Sequence, residues 1–338
     1  MHALVRYGLW LRRLIERLPG GHERISSGFE EMPEVRQVLE SHLNVRRDPS
    51  LAIRSIYGQW FPWLVLLDRE WADEHVGRIF PSESDLAQFR DVAWETYIAF
   101  CAPYDSVLTV LRDQYAHAIE RIGSLSPARR LADPEQRLAE HLMVFYWRGK
   151  LALAEPAGLL ERFYQRAPDL LRAHAIQFIG RSLSETQGAL EPEIAQRLRV
   201  LWERRMQIAR SAPTEFAKEL GSFGWWFASG KLEEGWAIER LEESLRLGGT
   251  VEPAQEMAGR LAGLAEHFPL QAVRSLAKLI EADREGWGIF GWKQSARTIL
   301  AIGVRCGDRE ARDLATSLVH QLGERGHLEF RDLVIPSS

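Results

Sequence analysis

The residues of this chain that could do chemistry are few and scattered. Asp113, His117 and Glu120 recur at i, i+4 and i+7, so a helix would carry them on one face. That spacing suits a minimal metal site or a His–carboxylate pair, and it equally suits a solvated polar stripe. The segment Asp68-Arg-Glu-Trp-Ala-Asp-Glu-His75 is rich in acids but contains no His-Glu-x-x-His. Gly224-Trp-Trp-Phe-Ala-Ser-Gly230-Lys231 imitates a P-loop. Its loop is one residue too long, Leu232 stands where a hydroxyl must reach Mg²⁺, and tryptophans replace the small residues that let backbone N–H groups wrap a phosphate. There is no Gly-x-Ser-x-Gly elbow, and neither Cys101 nor Cys306 has a basic neighbour in sequence. These residues predict no catalytic, cofactor-binding or metal site, and a chain that is not an enzyme.

The aromatic residues are a stronger signal. Twelve tryptophans are present, and exposed tryptophan is a frequent anchor of protein interfaces. Phe216, Leu220, Phe223 and Phe227 form one helical stripe; Trp226 adjoins it and Trp225 points about 100° further round. Trp287 and Trp292 flank Gly288 and Gly291. The candidate partner-binding residues are therefore Trp225, Trp226, Lys231, Trp287, Phe290 and Trp292. Gly221-Ser-Phe-Gly-Trp225 is echoed by Gly288-Ile-Phe-Gly-Trp292. The echo predicts equivalent corners of two repeats bordering one surface. The competing explanation is packing, because a helix sandwiched between neighbours needs two apolar faces.

The elements that must position these residues are helices. Apolar residues recur at three and four along almost the whole chain, and alternating runs are nearly absent. Helices are predicted over 2–18, 33–44, 50–57, 59–79, 85–101, 104–122, 134–153, 156–166, 169–185, 191–210, 213–228, 233–247, 252–267, 269–283, 292–306 and 309–325. Asp133 before Pro134 reads as a cap and first helical residue; Gly123 and Gly323 read as stops at positive φ. In the last third, 255–267 with 270–283 and 293–306 with 309–322 form tight pairs. The fold class is all-α: an irregular α-solenoid of antiparallel helix pairs, HEAT/TPR-like. The Gly/Ser/Pro-containing stretch 123–134 divides an aromatic-rich region, 1–123, from a helical-repeat region, 134–330.

Composition bounds the function. The 338 residues are 46% hydrophobic and 27% charged with a net charge of -4. The basic excess of a general nucleic-acid binder is missing. Two distant cysteines make neither a disulfide framework nor a zinc site, and a reducing, cytoplasmic setting with buried thiols is expected. No apolar run is long enough to span a membrane. The N-terminal segment reads as a basic amphipathic helix, with Leu4, Leu11, Leu14, Ile15 and Leu18 on one side and Arg6, Arg13 and Arg17 on another. Its two readings are a membrane-surface helix and, favoured, a first packing helix.

Residues 213–247, with a Trp-rich helix, Ser229-Gly230-Lys231 and a second Trp-containing helix, resemble the C-terminal helical-repeat region of bacterial STAND-type (NACHT-like) defence ATPases. The resemblance extends over about 135–325 and implies a helical sensor that binds target proteins. The ATPase motifs that accompany such a sensor are absent. The leading expectation is a protein-binding scaffold or sensor with a protein partner. The alternative is a nucleic-acid-binding solenoid using Arg129, Arg130, Arg197, Arg199, Arg204, Arg205 and Arg210. The third is an all-α enzyme whose site is assembled from distant residues. Oligomeric state is left open.

Overall fold

A computed structural model describes residues 1–124, 133–248 and 252–334. Nineteen α-helices and no strand occur among the described residues. The chain divides into two compact units, Met1–Arg166 and Ala167–Ser338. Most of the glycine-containing stretch 123–134 lies outside the described residues, and the two helices that follow it pack within the first unit.

The first unit contains α1 (His2–Glu16), α2 (Gly21–Ser26), α3 (Pro33–Leu43), α4 (Leu51–Leu67), α5 (Arg69–Ile79), α6 (Ala87–Phe100), α7 (Asp105–Val110), α8 (Arg112–Glu120), α9 (Pro134–Trp147) and α10 (Leu159–Arg166). The helices stack as two rows: α1, α4, α6 and α9 in one, and α5, α7–α8 and α10 in the other, with α3 joined to α5 by the Trp71 indole N–H, which donates to Glu40. The expected break at residues 57–59 is absent. Helix α4 runs through Gly58 and Pro62 and stops at Asp68, whose carboxylate caps α5 at Trp71 N. Gly58 serves close packing instead, since a Cβ there would overlap the Ala93 carbonyl of α6. Beside it, the Thr96 hydroxyl donates to Ser55 O at 2.9 Å. Pro62 lacks the N–H that Gly58 O would accept, and the Cys101 thiol faces that carbonyl at 3.8 Å and donates to Gln59 O at 3.2 Å.

A buried polar chain crosses this core. His141 is 1% exposed. One ring nitrogen donates to Cys101 O at 3.0 Å; the other accepts from the Tyr115 hydroxyl at 2.8 Å, which in turn accepts from Tyr97 at 2.9 Å. The nitrogen that accepts from Tyr115 must be unprotonated, so this chain holds the neutral imidazole, whereas the bond to Cys101 O suits either charge state. Burial, reinforced by Arg137, pushes the His141 pKa down to about 4. The unfolded chain binds this proton near pH 6.5, so its contribution to stability is full above that pH. It is lost as pH falls from about 6.5 through 4, to a total of about 3 kcal/mol. Urea unfolding at pH 7 and pH 4.5 should show this slope, and His141→Phe should flatten it. An unchanged slope in the variant would place the titration elsewhere.

The second unit contains α11 (Asp169–Glu185), α12 (Pro192–Ala209), α13 (Ala217–Ser222), α14 (Gly224–Ala228), α15 (Glu234–Gly248), α16 (Ala254–Leu264), α17 (Pro269–Ala282), α18 (Ile289–Arg305) and α19 (Arg309–Glu324). Here too the helices form two rows: α11, α13–α14, α16 and α18 in one, α12, α15, α17 and α19 in the other. The second row carries a charge ladder on its surface. Arg210 pairs with Glu243 at 2.5 Å, and Arg274 bridges Glu242 at 3.1 Å and Glu310.

Predicted as one helix, 213–228 is three pieces: a 3₁₀ turn at Pro213–Phe216, then α13 and α14. Asp169 starts α13 by accepting from Lys218 N at 2.8 Å and Glu219 N at 3.0 Å. Gly180 lets Trp225 of α14 press directly on α11, and Gly224 lets the Glu252 carbonyl approach. Of the predicted stops, Gly123 does take a positive φ of 79°. In α19 that role passes from Gly323 to Gly326, at φ 92°, because the helix runs on to Glu324.

Candidate protein-interaction surface

The six aromatic-region candidates separate by burial. Trp226 is 0% exposed; its indole N–H donates to Ile176 O at 2.8 Å and its ring meets Trp202 and Phe223 edge-on. Trp202 stacks on Phe223 at 4.8 Å and donates to Ser244 at 2.9 Å. These residues are the core of the second unit, so Trp226 is not a surface residue. Trp292 is buried as well, at 4% exposure. Its backbone (φ -128°, ψ 17°) kinks α18 after the first turn. Trp225 is half-buried over Gly180, and its indole N–H is enclosed with no acceptor among the described residues. The Lys231 ammonium donates to Gly188 O at 2.8 Å and so ties down the loop after α11.

The P-loop likeness dissolves for the same local reason. Residues 224–228 are helix, and the Trp226, Phe227, Ser229 and Gly230 N–H groups bond to carbonyls three or four residues back. None of these donors is left to cradle a phosphate. The two glycine–aromatic echoes also differ in role. The first lies inside a row of helices with Phe223 at 0% exposure, whereas the second opens α18 with Phe290 at 62%. They are not equivalent corners.

What remains exposed is a patch built by the end of α17, the start of α18 and the segment after α19. Trp287 is 73% exposed, Phe290 62% and Leu328 57%. The Trp287 and Phe290 rings lie 6.0 Å apart, and His327 meets Phe290 edge-on at 6.0 Å. The support beneath is rigid. The Asp283 carboxylate accepts from Gly288 N at 3.1 Å and Ile289 N at 2.8 Å, closing the loop and starting α18. Gly286 holds a φ of 72°, and a Cβ on Gly288 would press on the Asp283 carboxylate. Arg325 donates to Ile280 O at 2.8 Å and covers the end of α17. Phe330, fully buried, pins the 3₁₀ segment Leu328–Leu333, while Lys293–Glu329 (2.7 Å) and Arg297–Asp332 fasten it to α18. His327 and its chain neighbour Leu328 carry no local sequence signal, because only the fold sets His327 beside Phe290.

The other chemical candidates do not converge. Glu120 is held by Arg162 at 2.7 Å and by Arg166, and Asp113 is exposed. His117 turns instead toward α6, into a cleft lined by Arg90, Asp91, Trp94 and Arg121. Burial, then Arg90 and Arg121, lower the His117 pKa. The cavity measures ≈ 30 Å³, room for a water but not for a metabolite. No cluster of three or more metal-ligating side chains occurs among the described residues. In the acidic segment 68–75, His75 is buried, stacks on Trp71 at 4.5 Å and donates to Trp71 O. Burial raises the Cys101 thiol to about 12, which leaves it un-ionised at neutral pH. Cys306 is half-buried rather than buried.

The arginines named for nucleic acid are largely engaged. Arg205 is buried on Glu219, Arg210 pairs with Glu243, and Arg199 lies over the Trp236 ring at 5.2 Å. Arg129 and Arg130 lie outside the described residues. The architecture is an irregular helical repeat of HEAT/TPR-like type, and no family model, curated protein or solved structure matches the chain.

Proposed function

We propose that this chain is a protein-binding helical-repeat scaffold, not an enzyme, and that it engages its partner through Trp287, Phe290 and Leu328. One observation carries the reading: Trp287 and Phe290 stand more than half exposed on a loop and helix start whose backbone is fixed by Asp283 and Arg325, and Leu328, also more than half exposed, lies on the 3₁₀ segment that Lys293–Glu329 fastens to α18. Pre-ordered aromatics lose little entropy on binding, and such residues dominate interface energetics. The residues behind the STAND resemblance, Trp226 and Ser229-Gly230-Lys231, serve packing and loop closure. The likeness therefore supports the repeat architecture, and a target-sensing role in defence is the finer form of the same proposal.

Affinity capture from cells, followed by titration of the captured protein, tests it. Trp287→Ala and Phe290→Ala should each weaken binding about 30-fold, near 2 kcal/mol, while leaving the melting temperature unchanged. Capture that is indifferent to both substitutions would remove this surface from the proposal.

A further inference from the structure

Helix α1 exposes a second surface, with a different chemistry. Its buried residues Val5, Gly8 and Ile15 face inward, and α1 packs on α4. Outward it presents two parallel rows. Tyr7, Trp10 and Leu14 form one at i, i+3 and i+7, 41–56% exposed, and Leu18, 44% exposed, follows just past the helix end. Arg6 and Arg13, both exposed, form the other, about 80° round the helix, and the exposed Arg17 is the C-terminal cap residue. Tyr7 stacks on Trp10 with centroids 6.0 Å apart. Neither these three arginines nor Arg12 has a hydrogen-bond or ion-pair partner among the described residues, whereas the chain's other surface arginines are mostly paired. The nearby acids are Glu16, exposed on the same helix, and Glu34, which accepts from the Tyr7 hydroxyl at 3.3 Å.

We infer that this face of α1 lies on a membrane surface bearing anionic lipid headgroups. Trp, Tyr and Leu would enter the headgroup–acyl boundary, and the arginine row would reach lipid phosphates. Unpaired positive charge within a chain of net charge -4 selects an anionic partner. Protein interfaces concentrate energy in a central cluster, while these rows run along a 15-residue helix of about 22 Å, a linear arrangement that suits a plane. No helix among the described residues is long and apolar enough to cross a membrane, so attachment is at the surface.

The full chain should co-sediment with phosphatidylcholine vesicles containing phosphatidylglycerol, not with pure phosphatidylcholine, and added salt should release it. Arg6→Gln/Arg13→Gln/Arg17→Gln should bind about 100-fold more weakly, and Trp10→Ser about 10-fold. The corresponding triple Arg→Lys variant should bind as the parent does, which separates charge from misfolding. Trp287→Ala should bind vesicles normally, so this inference stands or falls apart from the protein-binding proposal. Binding that is absent, equal on neutral vesicles, or retained by the Arg→Gln variant overturns it, and an acidic protein partner then becomes the occupant to seek.

Discussion

Trp226→Ala should destabilise the second unit by about 3–5 kcal/mol. The side chain is 0% exposed and sits edge-on to both Trp202 and Phe223, which are themselves fully buried. Its removal leaves a cavity that rigid neighbouring rings cannot collapse into, and it abolishes the indole bond to Ile176 O. For a unit of this size the melting temperature should fall by roughly 10 °C. Trp287→Ala, by contrast, should leave it unchanged, because that side chain is already solvated. Calorimetry of the two variants side by side decides the matter. Equal melting temperatures would mean that Trp226 is not a core residue.

Glu219→Gln should cost a comparable 3–5 kcal/mol without changing side-chain volume. The Glu219 carboxylate is fully buried and receives Arg205 at 2.5 Å and Arg172 at 2.7 Å. The Phe216 ring lies 4.5 Å from one guanidinium and 5.4 Å from the other. Arg172 also donates to Ala167 O at 2.7 Å and Glu215 O at 2.6 Å. The cluster joins α11, α12 and α13, the start of the second unit. Neutralising its central anion leaves two guanidiniums facing one another in a poorly solvated site. Replacing all three members by apolar residues of similar size should cost less than Glu219→Gln alone, because no unpaired charge then remains. Chemical denaturation of both variants measures the difference, and the reverse ranking would refute a charge-compensation role.

Some of the structure was legible in local sequence. Helices appeared where apolar residues recur at three and four, since that period lays one stripe along a helix. The Asp133-Pro134 start was readable because the cap needs only neighbours, and Asp133 does accept from Glu135 N and Gln136 N. The failure of Gly224–Lys231 as a P-loop was readable from loop length and bulk.

Other features depended on what lies across the packing. Gly58 suggested a break, but α6 approaches there, and α4 continues through it. Trp225, Trp226, Trp287 and Trp292 were all candidates for the partner surface, yet the first is half-buried, Trp226 and Trp292 are buried, and Trp287 is exposed. The Arg172–Glu219–Arg205 cluster draws on three helices and gives no spacing signal. The sequence by itself determined the helical class, several caps and the mismatch of Gly224–Lys231 with a P-loop, because each is a property of consecutive residues. Only the tertiary structure decided which aromatic faces are core and which are surface. Helical periodicity states the direction of a side chain, and the neighbouring helix, supplied from far along the chain, states whether anything covers it.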